Sequence, residues 1–291
     1  MTAQPNHKRT VALRVARQVS LLFFVALIAF ISYRHQALGG GPQGAAPLDT
    51  YCVFGGAATL WTYITTGQFI QKTNMANLVL LTAAVTLVTL TGASFCGWIC
   101  PFGAIQEWLY RINKKLLKIT WTPSDAIDRP LRWLRFLILA LILYMTVSTN
   151  SLWFEAYDPF KMLFHMNFSE MTLTGIVILG VTLLSALIIE RAWCRYLCPL
   201  GALFTLFAPL SRINITRHRA SCINCHACTK ACPVQIDVAQ QDVVRDSQCI
   251  KCLRCIIHCP VADTLTLDAA LTSPPAPPQT PSPSKQHPLS S

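Results

Sequence analysis

Four uncharged apolar runs in the first 190 residues predict membrane-spanning helices, each of which needs about 20 mostly apolar residues. They extend from Gln18 to Tyr33, from about Ala76 to Phe95, from Phe136 to Phe154 and from Met171 to Ile189. The first is short, at 16 residues, and relies on Arg14, Arg17 and Arg34 reaching the two interfaces. A fifth uncharged run, Thr50 to Gln71, carries Gly55, Gly56, Gly67 and five threonines. Such backbone suits a surface or re-entrant helix better than one facing lipid. The pattern then turns polar. Residues 217–268 read as a small cysteine-rich domain, and from Ser273 seven prolines in 19 residues predict a disordered tail. The expected division is therefore a segment 1–17, a four-span domain 18–212, the domain 217–268 and the tail 273–291.

The apolar part is internally repeated. Phe95-Cys-Gly-Trp-Ile-Cys-Pro-Phe-Gly-Ala-Ile105 returns 98 residues later as Trp193-Cys-Arg-Tyr-Leu-Cys-Pro-Leu-Gly-Ala-Leu203. Tyr51-Cys-Val-Phe54 likewise echoes Tyr157-Asp-Pro-Phe160. Two spans separate the copies, so the repeats are parallel and both CxxxCP frames should emerge on one face. The fold class expected is an α-helical integral membrane protein of two parallel two-span repeats, followed by a small α+β ferredoxin-like domain.

Composition supports a membrane protein. Of 291 residues, 53% are hydrophobic and 13% charged, whereas a soluble domain runs near 25% charged. The net charge of +11 is best read as membrane orientation, and no nucleic-acid partner is expected. Outside the expected spans, four Lys and Arg precede the first, seven lie between the second and third, and ten follow the fourth. The other two connections hold only Arg34, Lys72 and Lys161. Both termini and the 111–135 connection are thus expected in the cytoplasm, with 34–72 and 155–170 outside. A signal peptide is the lesser reading of the N-terminal stretch, since no small-x-small cleavage site follows it.

Thirteen cysteines carry the candidate chemistry. Eight form Cys222-x2-Cys225-x2-Cys228-x3-Cys232-Pro233 and Cys249-x2-Cys252-x2-Cys255-x3-Cys259-Pro260. Three thiolates at spacing two wrap a [4Fe-4S] cubane, and the Pro-marked fourth is directed to the other cluster. Cys222, Cys225, Cys228 and Cys259 are therefore expected to hold one cluster, and Cys249, Cys252, Cys255 and Cys232 the second. Zinc or disulfides would not require two copies of the run with both prolines. The string Cys222-x-x-Cys225-His226 also fits haem c attachment, but the cluster needs both cysteines. Cys96, Cys100, Cys194 and Cys198 of the CxxxCP frames leave three readings open. They are buried small residues before a helix stop, a shared metal or cluster site, or two redox-active dithiols. If the helix runs on to the proline, each pair shares a face at spacing i, i+4.

No axial ligand pair for a transmembrane haem is evident in the spans. Tyr51, Tyr157, Asp158 and His165 gather in the outer loops, where interfacial packing competes with a quinone site. Trp61, Tyr63 and Trp153 read as interfacial anchors, and Cys52 as inert. In its four spans, CxxxCP frames and two 4Fe-4S motifs, the chain resembles the NapH/MauN-type family of membrane-bound ferredoxin proteins over about residues 15–265. That resemblance implies electron passage between the quinol pool and a partner redox protein, in one branch as a subunit of a quinol dehydrogenase. The flavin-bearing and assembly-factor relatives carry further domains, for which no counterpart is expected in the 17 residues before the first span or in the Pro-rich tail. A metal-handling or assembly role, with the clusters reducing a metal ion or thiol, is the alternative function.

Overall fold

In the computed structural model, which describes residues 7–39, 52–67, 70, 75–164 and 172–269, His7–Leu38 contain no glycine or proline and form one 32-residue helix, α1. It overruns the expected Gln18–Tyr33 at both ends, because Lys, Arg, Gln and Ala propagate a helix as readily as apolar residues do. The fifth uncharged run becomes a 14-residue helix, α2 (Val53–Thr66). Thr59 and Thr62 return their hydroxyls to the carbonyls of Gly55 and Ala58, which satisfies them without water. Helix α3 (Met75–Thr91) stops where Gly92 takes a left-handed φ of 75°.

Two helices, the first of five residues, follow each apolar helix of the repeat. In the first half these are α4 (Ser94–Trp98) and α5 (Pro101–Leu116). Helix α6 (Asp125–Thr149) holds most of the third expected span but ends at left-handed Asn150, so the span's last residues, to Phe154, fall outside the helix. After α7 (Pro159–Phe164), the second half repeats the order with α8 (Leu173–Ile188), α9 (Ala192–Tyr196) and α10 (Pro199–Phe207). The halves interlock, since α5 packs on α8 while α10 packs on α3 and α6. Helices α1 and α6 are long and apolar enough to cross a membrane, and α3 and α8, at 17 and 16 residues, are shorter apolar helices. Large side chains stand exposed on all four, among them Leu22, Val79, Leu137 and Val181.

The polar domain is a three-stranded antiparallel sheet in the order β2-β1-β3, where β1 is Ile213–Arg217, β2 Val243–Val244 and β3 Leu265–Ala269. Two one-turn helices, α11 (Ala227–Lys230) and α12 (Arg254–Ile257), carry the third cysteines of the two motifs. Ile215, Val234, Ile236, Val244 and Leu265 pack in one cluster with Val88 of α3 and Phe204 of α10. A single apolar core therefore joins the cysteine-rich part to the helices. The protein is mostly helical.

Candidate functional site

The chain breaks inside each CxxxCP frame. Cys96 lies in α4, but Cys100 is the N-cap of α5 with Pro101 at its first position. Cys194 lies in α9, and Cys198 caps α10 ahead of Pro199. A continuous helix with each pair on one face is thus replaced by a helix-turn-helix. Proline at N1 lacks an N–H that would have no partner there, so it starts a helix at little cost where its interior use would break one. Cys198 Sγ accepts the Gly201 N–H at 3.3 Å, and Cys194 Sγ accepts Gln106 Nε2 at 3.3 Å.

These turns bring all four thiols to one cavity of about 50 Å³, shared with Arg135, Arg191 and Arg195. Val234, Ser247, Gln248 and Ile250 of the polar domain line its other wall. Burial pushes the Cys194 thiol up to about 12, and Cys100 adds to the shift. Among the described residues, no three His, Cys, Asp or Glu side chains converge closely enough for a single metal ion. The thiols surround a space instead of meeting at a point. Arg135 is buried, yet its Nε and Nη2 have no hydrogen-bond partner, nor have Nε and Nη1 of buried Arg195. Orphaned guanidinium nitrogens cost free energy unless an acceptor joins them. The donor set, four sulfurs with cationic surroundings, fits an anionic thiolate-bound iron-sulfur group.

Below the cavity, fully buried Glu107 of α5 organises the charges. Arg17 of α1 holds it with two bonds of 2.9 and 2.6 Å, and Arg191 reaches Oε2 at 2.9 Å. Arg111 also bonds it, and Arg254 of α12 lies 3.7 Å away. Burial alone would raise this carboxyl, but Arg191, Arg17 and Arg111 outweigh it and hold it well below the usual range. Asp128 does the same work at the start of α6, accepting Arg195 at 2.5 Å and the Tyr196 hydroxyl at 2.7 Å.

In the polar domain, Cys222, Cys225, Cys228 and Cys259 line one cavity, the last coming from the second motif. Cys232 has Cys252 and Cys249 as its electrostatic neighbours, and burial pushes its thiol up to about 12. Both loops use the same strained backbone: Asn224 and His226 in one, Lys251 and Leu253 in the other, are left-handed with φ between 47° and 58°. Such non-glycine residues are uncommon, and their alternation with right-handed or extended residues is the backbone pattern of an anion-binding nest, which suits an anionic cluster. The thiols and nests fit [4Fe-4S] groups.

Tyr51, His165 and the tail 273–291 lie outside the described residues. Tyr157 packs on Trp153 with ring centroids 4.9 Å apart, and Asp158 accepts the Phe160 N–H at 2.9 Å. Asp158 and Cys52 border one cavity between the start of α2 and the segment that leads into α7. Cys52 Sγ caps α2 by accepting the Gly55 N–H. Trp61 and Tyr63 are exposed on α2. Arg17, expected to reach an interface, is instead buried on Glu107. Sequence reasoning missed Glu107 and the other arginines of the site, although Glu107 is the first charge after the uncharged stretch and Arg191 and Arg195 flank Cys194.

Comparison with known proteins places this geometry. A model described as "4Fe-4S binding domain" matches residues 73–120 and again 171–218, one match over each CxxxCP frame and at the spacing of the internal repeat. A "4Fe-4S dicluster domain" matches 214–260. The chain is 32% identical over 233 residues to the putative electron transport protein YccM of Escherichia coli, covering 78% of this chain and 63% of that protein. It is 30% identical to the methylamine utilization ferredoxin-type protein MauN of Methylobacillus flagellatus over 57% of this chain and 56% of MauN. With the ferredoxin-type protein NapH of Haemophilus influenzae the identity is 34%, over 48% of this chain and 47% of NapH. The chain thus spans about half to two-thirds of these relatives. No solved structure matches. Fold and motifs define a protein with 4Fe-4S binding domains, similar to ferredoxin-type electron transport proteins. The chain belongs to the NapH/MauN-type family of ferredoxin-type electron transport proteins.

Proposed function

We propose that the protein is a four-span membrane electron carrier linking the quinol pool to a partner redox protein, with a third redox centre at the CxxxCP frames. The observation that carries this reading is the convergence of Cys96, Cys100, Cys194 and Cys198 on a cavity walled by the Cys249 loop, beside Arg135 and Arg195, each of which has two buried guanidinium nitrogens without a hydrogen-bond partner. Helices α1, α3, α6 and α8 are the spans, and the helices that follow α3 and α8 lie at the membrane surface. Both termini and the 111–135 connection lie in the cytoplasm, as the Lys and Arg distribution supports. Cys222, Cys225, Cys228 and Cys259 hold one cluster, and Cys249, Cys252, Cys255 and Cys232 the other. Iron-sulfur groups bound at these cysteines supply reversible one-electron transfer. Around them, Arg135, Arg191 and Arg195 offset thiolate charge, and Gln106 and the Gly201 N–H donate to the sulfurs. Asp158 and its outer cavity border the quinol site, and quinol oxidation there releases two electrons and two protons.

Protein purified without oxygen should carry about eight irons from the paired motifs and more when the CxxxCP cavity is filled. The Cys194→Ser, Cys198→Ser double variant should retain the eight and lose cluster reduction by a quinol analogue. Unchanged reduction rates would remove the CxxxCP cysteines from the path. Ligand crossing has its own signature in the EPR spectrum of the reduced protein. Cys228→Ser should abolish the signal of the Cys222 loop, while Cys232→Ser should damage that of the Cys249 loop despite lying in the first motif. Reporter fusions after Ser273 reading as external would overturn the even number of spans.

A further inference from the structure

A cavity of about 310 Å³ opens between the basic end of α1, the C-terminal half of α5 and α12. Its volume falls at the lower edge of ordinary small-ligand sites, about 300–1,000 Å³. Arg14, Arg17, Arg111, Arg254 and His258 line it, and among the described residues its lining holds no carboxylate. Two carboxylates lie beneath. Glu190 takes Arg254, and Glu107 takes Arg17 and Arg111 but must also serve Arg191. The four guanidiniums are therefore under-compensated where they face the opening, and Arg14 stands exposed at its rim. Val15, Val19 and Leu22, at spacings of four and three on the helix that brings Arg14, Arg17 and Gln18 to the cavity, are exposed and form an apolar strip beside it.

The geometry points to a binding site for the phosphate of an anionic phospholipid, with the headgroup among the arginines and the acyl chains along Val15, Val19 and Leu22. A basic pocket beside a span on the positively charged face is where such headgroups are held. The guanidinium fork gives each phosphate oxygen a charge-assisted partner. The apolar strip distinguishes a lipid from a soluble anion, for which it has no use. This inference rests on α1 being a span, which is read separately by whether the protein leaves the membrane fraction without detergent.

The test takes the full-length protein, delipidated in an uncharged detergent, and adds short-chain phosphatidylglycerol, phosphatidylcholine or inorganic phosphate in parallel. Native mass spectrometry and the thermal midpoint read binding. Phosphatidylglycerol should bind saturably and raise the midpoint, and the other two should not do so at equal concentration. Arg14→Gln with Arg111→Gln should weaken phosphatidylglycerol binding roughly tenfold, since two charge-assisted contacts are lost, with iron content unchanged. Should that pair fold poorly, Arg14→Gln alone, at an exposed position, should weaken it in the same direction. Equal binding of phosphatidylcholine, inorganic phosphate binding as tightly as the lipid, or wild-type affinity in the folded variants would each overturn the assignment.

Discussion

Replacing Glu107 with Gln should cost more stability than any other single change outside the cluster cysteines. The side chain is fully buried and is the shared counter-charge of Arg17, Arg191 and Arg111, with Arg254 close by. Glutamine preserves shape but leaves buried guanidiniums without an anion, a change worth about 3–5 kcal/mol. Against a typical total of about 5–15 kcal/mol, that removes a large share of the margin. Because the four arginines come from α1, α5, the turn before α9 and α12, the loss should spread across the molecule. The yield of monodisperse, detergent-extracted protein and its thermal midpoint should both fall sharply, and Glu107→Asp should recover part of each. A midpoint within a degree or two of wild type would show that the network is dispensable. Acid should act on it late: the carboxyl is held below its ordinary 4.5, so the stabilisation is complete above that value and is lost only as pH falls towards the lowered one.

Gly97→Val should separate the first CxxxCP frame from the polar domain. A Cβ at this position would stand 2.3 Å from the Ile250 carbonyl oxygen and 3.4 Å from the backbone of Cys252. Both are backbone atoms in a loop already committed to left-handed turns, so they have little room to yield. One bond holds the same contact, Trp98 Nε1 donating to the Lys251 carbonyl at 3.0 Å, while Arg17 Nε ties the Gly97 carbonyl to α1 at 3.1 Å. With the contact forced open, the Cys249 loop should lose iron first. Any electron exchange between the CxxxCP cavity and that loop should slow by orders of magnitude, while the Cys222 loop keeps its metal. Iron content and stopped-flow reduction of the two cluster signals would measure this. Gly180→Ala, in α8 where no atom lies within 4 Å, is the control and should leave both unchanged.

How much of this was readable in advance depended on the range of the interaction. Cysteine spacing and apolar runs are local, and the repeat of Phe95–Ile105 as Trp193–Leu203 needs no coordinates to see. The break within each frame was harder, because proline reads equally as the end of one helix or the start of the next. Each apolar helix also ends ahead of its frame, at left-handed Gly92 in the first copy and before left-handed Arg191 in the second, so the first cysteine of each frame sits on a separate five-residue helix. Glu107 was invisible as a hub, since its partners lie 90 residues away at Arg17 and 84 away at Arg191. A lone acidic residue at the end of an uncharged stretch is ordinarily a solvated one. The length of α1 was underestimated because a search for apolar runs stops at the first arginine, whereas a helix does not.

The duplicated frames are not interchangeable. Gly97 follows the first cysteine of one copy and allows the polar domain to sit against it, while Arg195 occupies the same place in the other and reaches Asp128 and Gln235. A two-fold dimer of a single half would present one residue type at both positions. With glycine at both it would lose the anchor to α6, and with arginine at both it would drive a guanidinium into the Ile250 carbonyl. Joining the halves into one chain released each frame from its twin, and a symmetric set of thiols thereby acquired two different neighbours.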